Sequence, residues 1–185
     1  VFGIAIQELS NENIFHCVTA AMKLGTGLEK FSKKYPDRYI DVGIAEEHAV
    51  TYAAGLCAAG EKVIVAIYST FMQRTYDQII HDVALQKIPL IFCMDRSGLV
   101  GEDGPTHHGV FDISFMRHIP NIIISSPKDG FELHDLLHTA IISNRTFAIR
   151  YGKIKTSYND NYKPKLIDIG SWNIEKNGSK VAILA

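Results

Sequence analysis

Lys62-Val63-Ile64-Val65-Ala66-Ile67-Tyr68 is a short apolar run, rich in β-branched residues, that reads as a strand buried on both faces. Residues 70–86 follow it with apolar side chains at helical spacing, Met72, Ile79 and Val83. Residues 89–94 form a second strand, with Pro89 tolerated at its start. A strand, a helix and a strand in this order pack as a parallel pair with the helix crossing over one face. The same alternation extends both ways. Upstream lie a strand at 14–18, a short basic helix at 28–35, a short strand ending near Asp41 and a small-residue helix at 46–59. Downstream lie strands at 121–124 and 146–150, with a helix at 128–143 that starts after Ser126-Pro127 and repeats Phe131, Leu133, Leu136, Leu137, Ala140 and Ile141. The expected fold class is α/β, a mainly parallel sheet with helices on both faces. Ligands of such sheets bind beyond the carboxyl ends of the strands, so the informative loops are those that follow strands.

The chain has 185 residues and a formal net charge of -1, enough for one domain with a core. Near-neutral charge argues against a nucleic-acid partner held by bulk electrostatics. Cys17, Cys57 and Cys93 each sit in an apolar run and read as reduced thiols. No apolar stretch approaches the roughly 20 residues that span a bilayer, so no membrane partner is expected. The chain opens on Val1-Phe2-Gly3 and closes on Val181-Ala182-Ile183-Leu184-Ala185, which gives the expectation of a piece of a longer protein. After about Lys155 the composition turns polar, with Ser157-Tyr158-Asn159-Asp160-Asn161-Tyr162. The reading is a first domain over 1–155, then a linker over 156–185 that includes Trp172 and the first strand of a following domain.

Three post-strand loops carry unusual residues. The first ends in Glu46, which with Glu47 opens a nearly uncharged helix. A carboxylate there is partly withdrawn from water, which favours a shared or neutral proton. Acids also simply prefer the first turn of a helix, where the dipole favours them. The second loop, Tyr68-Ser69-Thr70-Phe71-Met72-Gln73-Arg74, puts a phenol, an aromatic ring and a guanidinium at one strand end. Phe71 offers either a stacking face for a heteroaromatic ring or ordinary core packing. The third loop runs from Asp95-Arg96 to Asp103-Gly104-Pro105-Thr106-His107-His108-Gly109, and its four glycines and one proline forbid a helix. His107, His108, Asp103 and Glu102 admit a metal reading, though adjacent histidines rarely converge on one ion and no HExxH or CxxC supports it. The competing reading is a proton-shuttling histidine beside an anion-binding Arg96. Gly25-Thr26-Gly27 lacks the third glycine of a dinucleotide fingerprint, with Lys30 in its place. His134 and His138, at i,i+4 on one helix, read as exposed helix residues.

Three separated stretches together resemble one family: the run from Asp37 to Val50, the run Ala66-Ile67-Tyr68-Ser69-Thr70-Phe71-Met72-Gln73-Arg74-Thr75-Tyr76-Asp77-Gln78, and Asp103-Gly104-Pro105-Thr106-His107-His108-Gly109. They resemble the central, transketolase-like pyrimidine-binding domain of 1-deoxy-D-xylulose-5-phosphate synthases, in that family's order and spacing. The resemblance implies a thiamine diphosphate enzyme that condenses pyruvate with glyceraldehyde 3-phosphate and releases carbon dioxide, in isoprenoid precursor synthesis. The cofactor would lie between two domains. The diphosphate and Mg²⁺ would be gripped by a domain with a Gly-Asp-Gly…Asn motif that is not found here; Gly101-Glu102-Asp103-Gly104 is not that motif.

The resemblance also implies roles. Glu46, chosen over Glu47 by motif position, would hydrogen-bond the aminopyrimidine ring, and the cofactor would serve as the electron sink. Phe71 would stack on that ring. Arg74 and His107 match substrate-contacting positions, with His107 a candidate acid/base. Asp103 would support its loop, and Tyr68 and Arg96 match the phosphate-binding set. The family continues Arg-Tyr-Pro-Arg-Gly after the last strand, where this chain has Arg150-Tyr151-Gly152-Lys153-Ile154; Lys153 supplies charge without a bidentate fork. The implied partners are the two substrates, the rest of the enzyme's own chain and, in the intact enzyme, a second copy as a homodimer. Localisation would be the cytoplasm of a bacterium or a plastid of a eukaryote. Related alternatives are a transketolase or a 2-oxoacid dehydrogenase β-subunit; an alternative of another kind is a catalytically silent assembly domain of the same fold.

Overall fold

The computed structural model describes residues 1–185 except 160, 172, 173, 184 and 185. Six strands form one sheet: β1 (His16–Thr19), β2 (Tyr39–Asp41), β3 (Val63–Tyr68), β4 (Ile91–Asp95), β5 (Ile122–Ser125) and β6 (Thr146–Arg150). Their spatial order is β2-β1-β3-β4-β6-β5, and every neighbouring pair is parallel. The expected α/β class holds, and the sheet is parallel throughout.

Alternation along the strands explains why both faces must be covered. In β3, Val63, Val65 and Ile67 pack into one core, while Ile64 and Ala66 pack into the other. In β4, Phe92 and Met94 face the first core and Ile91 and Cys93 the second. Helix α1 (Phe2–Leu9) closes the second core with Phe2, Ile6 and Leu9, joined by Phe31 of α2 (Glu29–Lys34) and by α7 (Gly130–Ser143). Helix α3 (Glu46–Ala58) closes the first core with Ala49, Val50, Ala53 and Ala54, whose small side chains let the helix lie close to the sheet. Each large side chain buried completely, such as Phe92 or Ile64, contributes about 1.5–3 kcal/mol. Cys17, Cys57 and Cys93 are buried free thiols.

The structure corrects several expectations. Helix α1 was not anticipated, although Phe2, Ile6 and Leu9 carry a helical spacing. The strand expected at 14–18 begins at His16, because pairing with β3 starts there and Ile14 is exposed. The helix expected over 70–86 is broken into α4 (Ser69–Met72), a 3₁₀ turn (Gln73–Thr75), α5 (Tyr76–Gln78) and a π-helical turn (Ile79–Ala84). Thr75 Oγ1 donates to the Met72 carbonyl at 2.7 Å and competes with the regular ladder, while Met72, Ile79 and Val83 still reach the core. A further short helix, α6 (Asp112–Met116), follows the long loop.

His134 is buried rather than exposed, with its Nδ1 2.6 Å from Tyr158 Oη. The polar stretch after Lys155 folds back along α7 and covers that face. Tyr162 Oη and the Lys165 amide donate to Asp135, the Ile167 amide donates to Thr139 Oγ1, and Phe131 packs edge-on to Tyr162. Among the described residues no strand follows Arg150, and Trp172 and the end of the final apolar run lie outside them. No helix of the described residues is long and apolar enough to cross a membrane.

Candidate functional site

Strand order reverses between β1 and β3, so the chain leaves these neighbours in opposite directions and opens a crevice at their carboxyl ends. The Tyr68 amide at the end of β3 donates to Met22 Sδ, from the loop after β1, across this gap. The three loops singled out in the sequence all empty onto this edge.

Glu46 opens α3 after a turn in which Gly43 takes a φ of 73°. It is 2% exposed, whereas Glu47 faces solvent. Burial thus separates two acids that local sequence chemistry leaves equivalent. Helix α4 and the 3₁₀ turn after it bring Arg74 over the Glu46 carboxylate, Nη1 to Oε1 2.5 Å, while the guanidinium stays half-exposed. The same guanidinium sits 4.9 Å from the Phe71 ring centre. Phe71 is half-buried against the first core, stacks on Tyr68 at 5.9 Å and meets the His107 ring edge-on at 5.3 Å. The core-packing reading of Phe71 is thus observed, and its other neighbours are protein side chains.

The long loop contains no α-helix, but it does contain two 3₁₀ turns, Gly101–Asp103 and Pro105–His107. Arg96 begins it with a φ of 61°, a left-handed conformation that costs a non-glycine residue roughly 1–2 kcal/mol. That conformation is tied down by its side chain. The guanidinium lies 3.8 Å over the Tyr68 ring, Nε donates to Asp103 Oδ2 at 3.0 Å, and Nη1 donates to the Gly25 carbonyl at 3.0 Å. Lys153 Nζ donates to the other Asp103 oxygen at 2.9 Å. The hydrogen bond from Lys153, then that from Arg96, holds the Asp103 carboxyl below the usual carboxylate range. Burial raises the Tyr68 phenol, and burial pushes the Asp95 carboxyl up to about 6 against the opposing pull of Arg96.

Glu46, Arg74, Phe71, His107, Tyr68, Arg96, Asp103 and Lys153 thus form one continuous run of contacts across the ends of β3, β4 and β6 and the start of α3. One end of the run is a buried acid and the other carries two cations. Beside the cationic end opens a cavity of about 740 Å³ lined by Arg96, Lys153, Gly25, Asp95 and Tyr151; Glu46, Phe71 and His107 are not part of its lining. His107 and His108 diverge: His107 Nδ1 lies 2.9 Å from Thr106 Oγ1, while His108 Nδ1 accepts the Val100 amide. No group of three or more His, Cys, Asp or Glu among the described residues is placed to hold a metal ion.

Sequence reasoning missed Ser69, Asp112 and Arg150. Asp112 is buried and accepts from Ser69 Oγ and Arg150 Nε on the same oxygen, at 2.9 and 3.0 Å. The available signal was an acid between two large apolar residues, Phe111-Asp112-Ile113, just after the histidine motif.

A family model described as transketolase, pyrimidine binding domain, matches residues 2–157. The chain is similar to 1-deoxy-D-xylulose-5-phosphate synthase of Dictyoglomus thermophilum, 54% identical over 189 residues, and to that of Aquifex aeolicus, 52% identical over 187; the alignments cover 100% of this chain and 30% of each relative. The chain therefore spans about 30% of the length of these curated relatives. Among solved structures it resembles a split-gene transketolase described as an inactive β4 tetramer, with TM-score 0.74 at 23% identity over 89% of this chain and 55% of that one. It also resembles a Pichia stipitis transketolase in complex with sedoheptulose 7-phosphate, with TM-score 0.64 at 24% identity over 74% of this chain and 22% of that one. Those two likenesses establish the fold, and the match over residues 2–157 establishes more: this chain belongs to the transketolase pyrimidine-binding domain family.

Proposed function

We propose that the chain is the pyrimidine-binding part of a 1-deoxy-D-xylulose-5-phosphate synthase, which joins pyruvate to glyceraldehyde 3-phosphate with loss of carbon dioxide. The observation that carries this reading is the continuous run from a buried acid, through stacked rings and a histidine, to a paired lysine and arginine. It matches what the reaction needs at each end: proton control at a ring, and charge for a phosphate.

The residues fit an aminopyrimidine. Glu46 is a carboxylate 2% exposed at the crevice, and Phe71 is a half-buried ring beside it, bridged to it by Arg74. Thiamine diphosphate, when bound, supplies the carbanion-stabilising chemistry. Glu46 would hydrogen-bond the pyrimidine ring nitrogen and share a proton there, from a carboxylate that the fold withdraws from bulk water. Phe71 would orient the ring by stacking. Arg74, already on Glu46, would fix the carboxylate and reach towards substrate with its half-exposed guanidinium. His107, edge-on to Phe71, would move a proton at the substrate carbonyl oxygen. Lys153 and Arg96 would bind the triose phosphate, and Asp103 would hold the two cations apart at a fixed distance. Tyr68 supports Arg96 from below and would lend its hydroxyl.

Diphosphate and Mg²⁺ are assigned to a separate domain carrying Gly-Asp-Gly…Asn, which this sequence lacks. The intact enzyme would be a homodimer, located in a bacterial cytoplasm or a plastid. The test is substrate choice by the full-length protein. Turnover of pyruvate with glyceraldehyde 3-phosphate, and none with a ketose phosphate donor, is expected. The reverse preference would make it a transketolase, and silence with both would make it an assembly domain.

A further inference from the structure

The long loop is closed at its neck. Gly98 and Gly109 exchange both backbone hydrogen bonds, at 2.8 and 2.9 Å, and the Ser97 amide donates to the Tyr151 carbonyl just past β6. Gly109 lies against Ser69 and the Arg96 carbonyl so closely that a Cβ would come within 2.5 Å of each. The same Ser69 hydroxyl donates to Asp112. One of its oxygens accepts from Ser69 Oγ and Arg150 Nε, and the other accepts from the Ile113 amide at 2.8 Å. Arg150 in turn donates to Ser126 Oγ at the end of β5.

The partners of this one carboxylate are informative. Ser69 immediately follows Tyr68 and precedes Phe71 by two residues. Arg150 precedes Lys153 by three. Asp112 follows His107 by five. A single buried charge therefore ties together the three chain segments that carry the aromatic stack, the histidine and the phosphate-side lysine. A charge with only 1% of its side chain exposed persists where it is paired and hydrogen-bonded, as here. No role in the run of contacts described above accounts for it.

We infer that Asp112, acting with Ser69 and Arg150, is a positioning residue that sets His107 against Phe71 and Lys153 against Arg96. The inference rests on the proposed roles of His107 and Lys153. Its test uses the full-length enzyme with Asp112→Asn and Ser69→Ala, each alone and combined with His107→Ala. Each single variant is expected to lower kcat about tenfold or more, since small misplacements of reacting groups are costly. Each is also expected to raise KM for the triose phosphate more than KM for pyruvate, with thiamine diphosphate affinity unchanged by fluorescence titration. In the His107→Ala background the loss in kcat should disappear, because a group that acts through His107 has nothing left to position. Losses that multiply in the double variants, or cofactor affinity that falls in step with kcat, would overturn the inference and leave the proposed function standing. Normal turnover by His107→Ala alone would instead remove the proposed role of His107, and the inference with it. Ser69→Ala leaves the Asp112–Arg150 pair in place, so it carries the same comparison if Asp112→Asn does not fold.

Discussion

At the scale of single residues, Glu46 and Glu47 are the same acid one peptide apart, yet one is buried under Arg74 and the other is solvated. The difference follows from helix geometry: successive residues point about 100° apart, so only one of a pair can face the crevice. Stranding a buried carboxylate is costly, and a half-exposed partner makes it less so. Arg74→Met should therefore lower stability by about 1–2 kcal/mol, measured by denaturant unfolding, where no change would remove the pair from the account. Lys153 donates one of its three protons to Asp103, which leaves two for the phosphate proposed to bind there. Lys153→Ala should raise KM for the triose phosphate about tenfold, the loss of one charged hydrogen bond, while Lys153→Arg should lower it by restoring the fork. Equal KM values across all three would show that phosphate is held elsewhere. The eight residues of the run were each singled out by motif. Their mutual contacts were not, because Asp103 meets Lys153 across 50 positions of chain.

At the scale of elements, helix α7 shows what a local pattern leaves out. Its apolar stripe was readable, but the burial of His134 was not, because the cover comes from a polar segment that local hydropathy marks as free linker. Burial holds the His134 imidazole below its ordinary value of 6.5. Asp135 pulls it back up and His138 pushes it further down, with Glu8 and Tyr158 alongside. The sign follows directly. An uncovered His134 takes up a proton near 6.5 and the covered one only at lower pH, so docking is fully stable above that value and weakens as pH falls below it. Amides Lys165 and Ile167, which bond to α7, should lose hydrogen-exchange protection between about pH 7.5 and about pH 5.5, after correction for intrinsic rates. His134→Gln should abolish that difference. A pH-independent protection in the unmodified chain would contradict this reading. The broken helix after β3 has a similar cause: apolar spacing reported which side chains are buried, but not the Thr75 hydroxyl that interrupts the ladder.

At the scale of the molecule, a parallel sheet with covered faces was implied by strand-helix alternation, and its crevice lies where the order reverses between β1 and β3. The sheet fixes the strand exits, and the strand exits bring distant loops into one line of contacts. That line supplies half of what the proposed chemistry needs. The diphosphate half is absent from this sequence, so the 185 residues by themselves should form no product from pyruvate and glyceraldehyde 3-phosphate; product formed by them alone would contradict the division of labour. The buried Glu46 carboxylate is proposed to govern a proton on the bound cofactor. The most direct measurement of that role is steady-state turnover of the full-length enzyme carrying Glu46→Gln, with the thermal midpoint recorded alongside. A fall in kcat of at least roughly 10²-fold with the fold intact is expected; turnover within a few-fold of the unmodified enzyme would show that Glu46 governs no such proton.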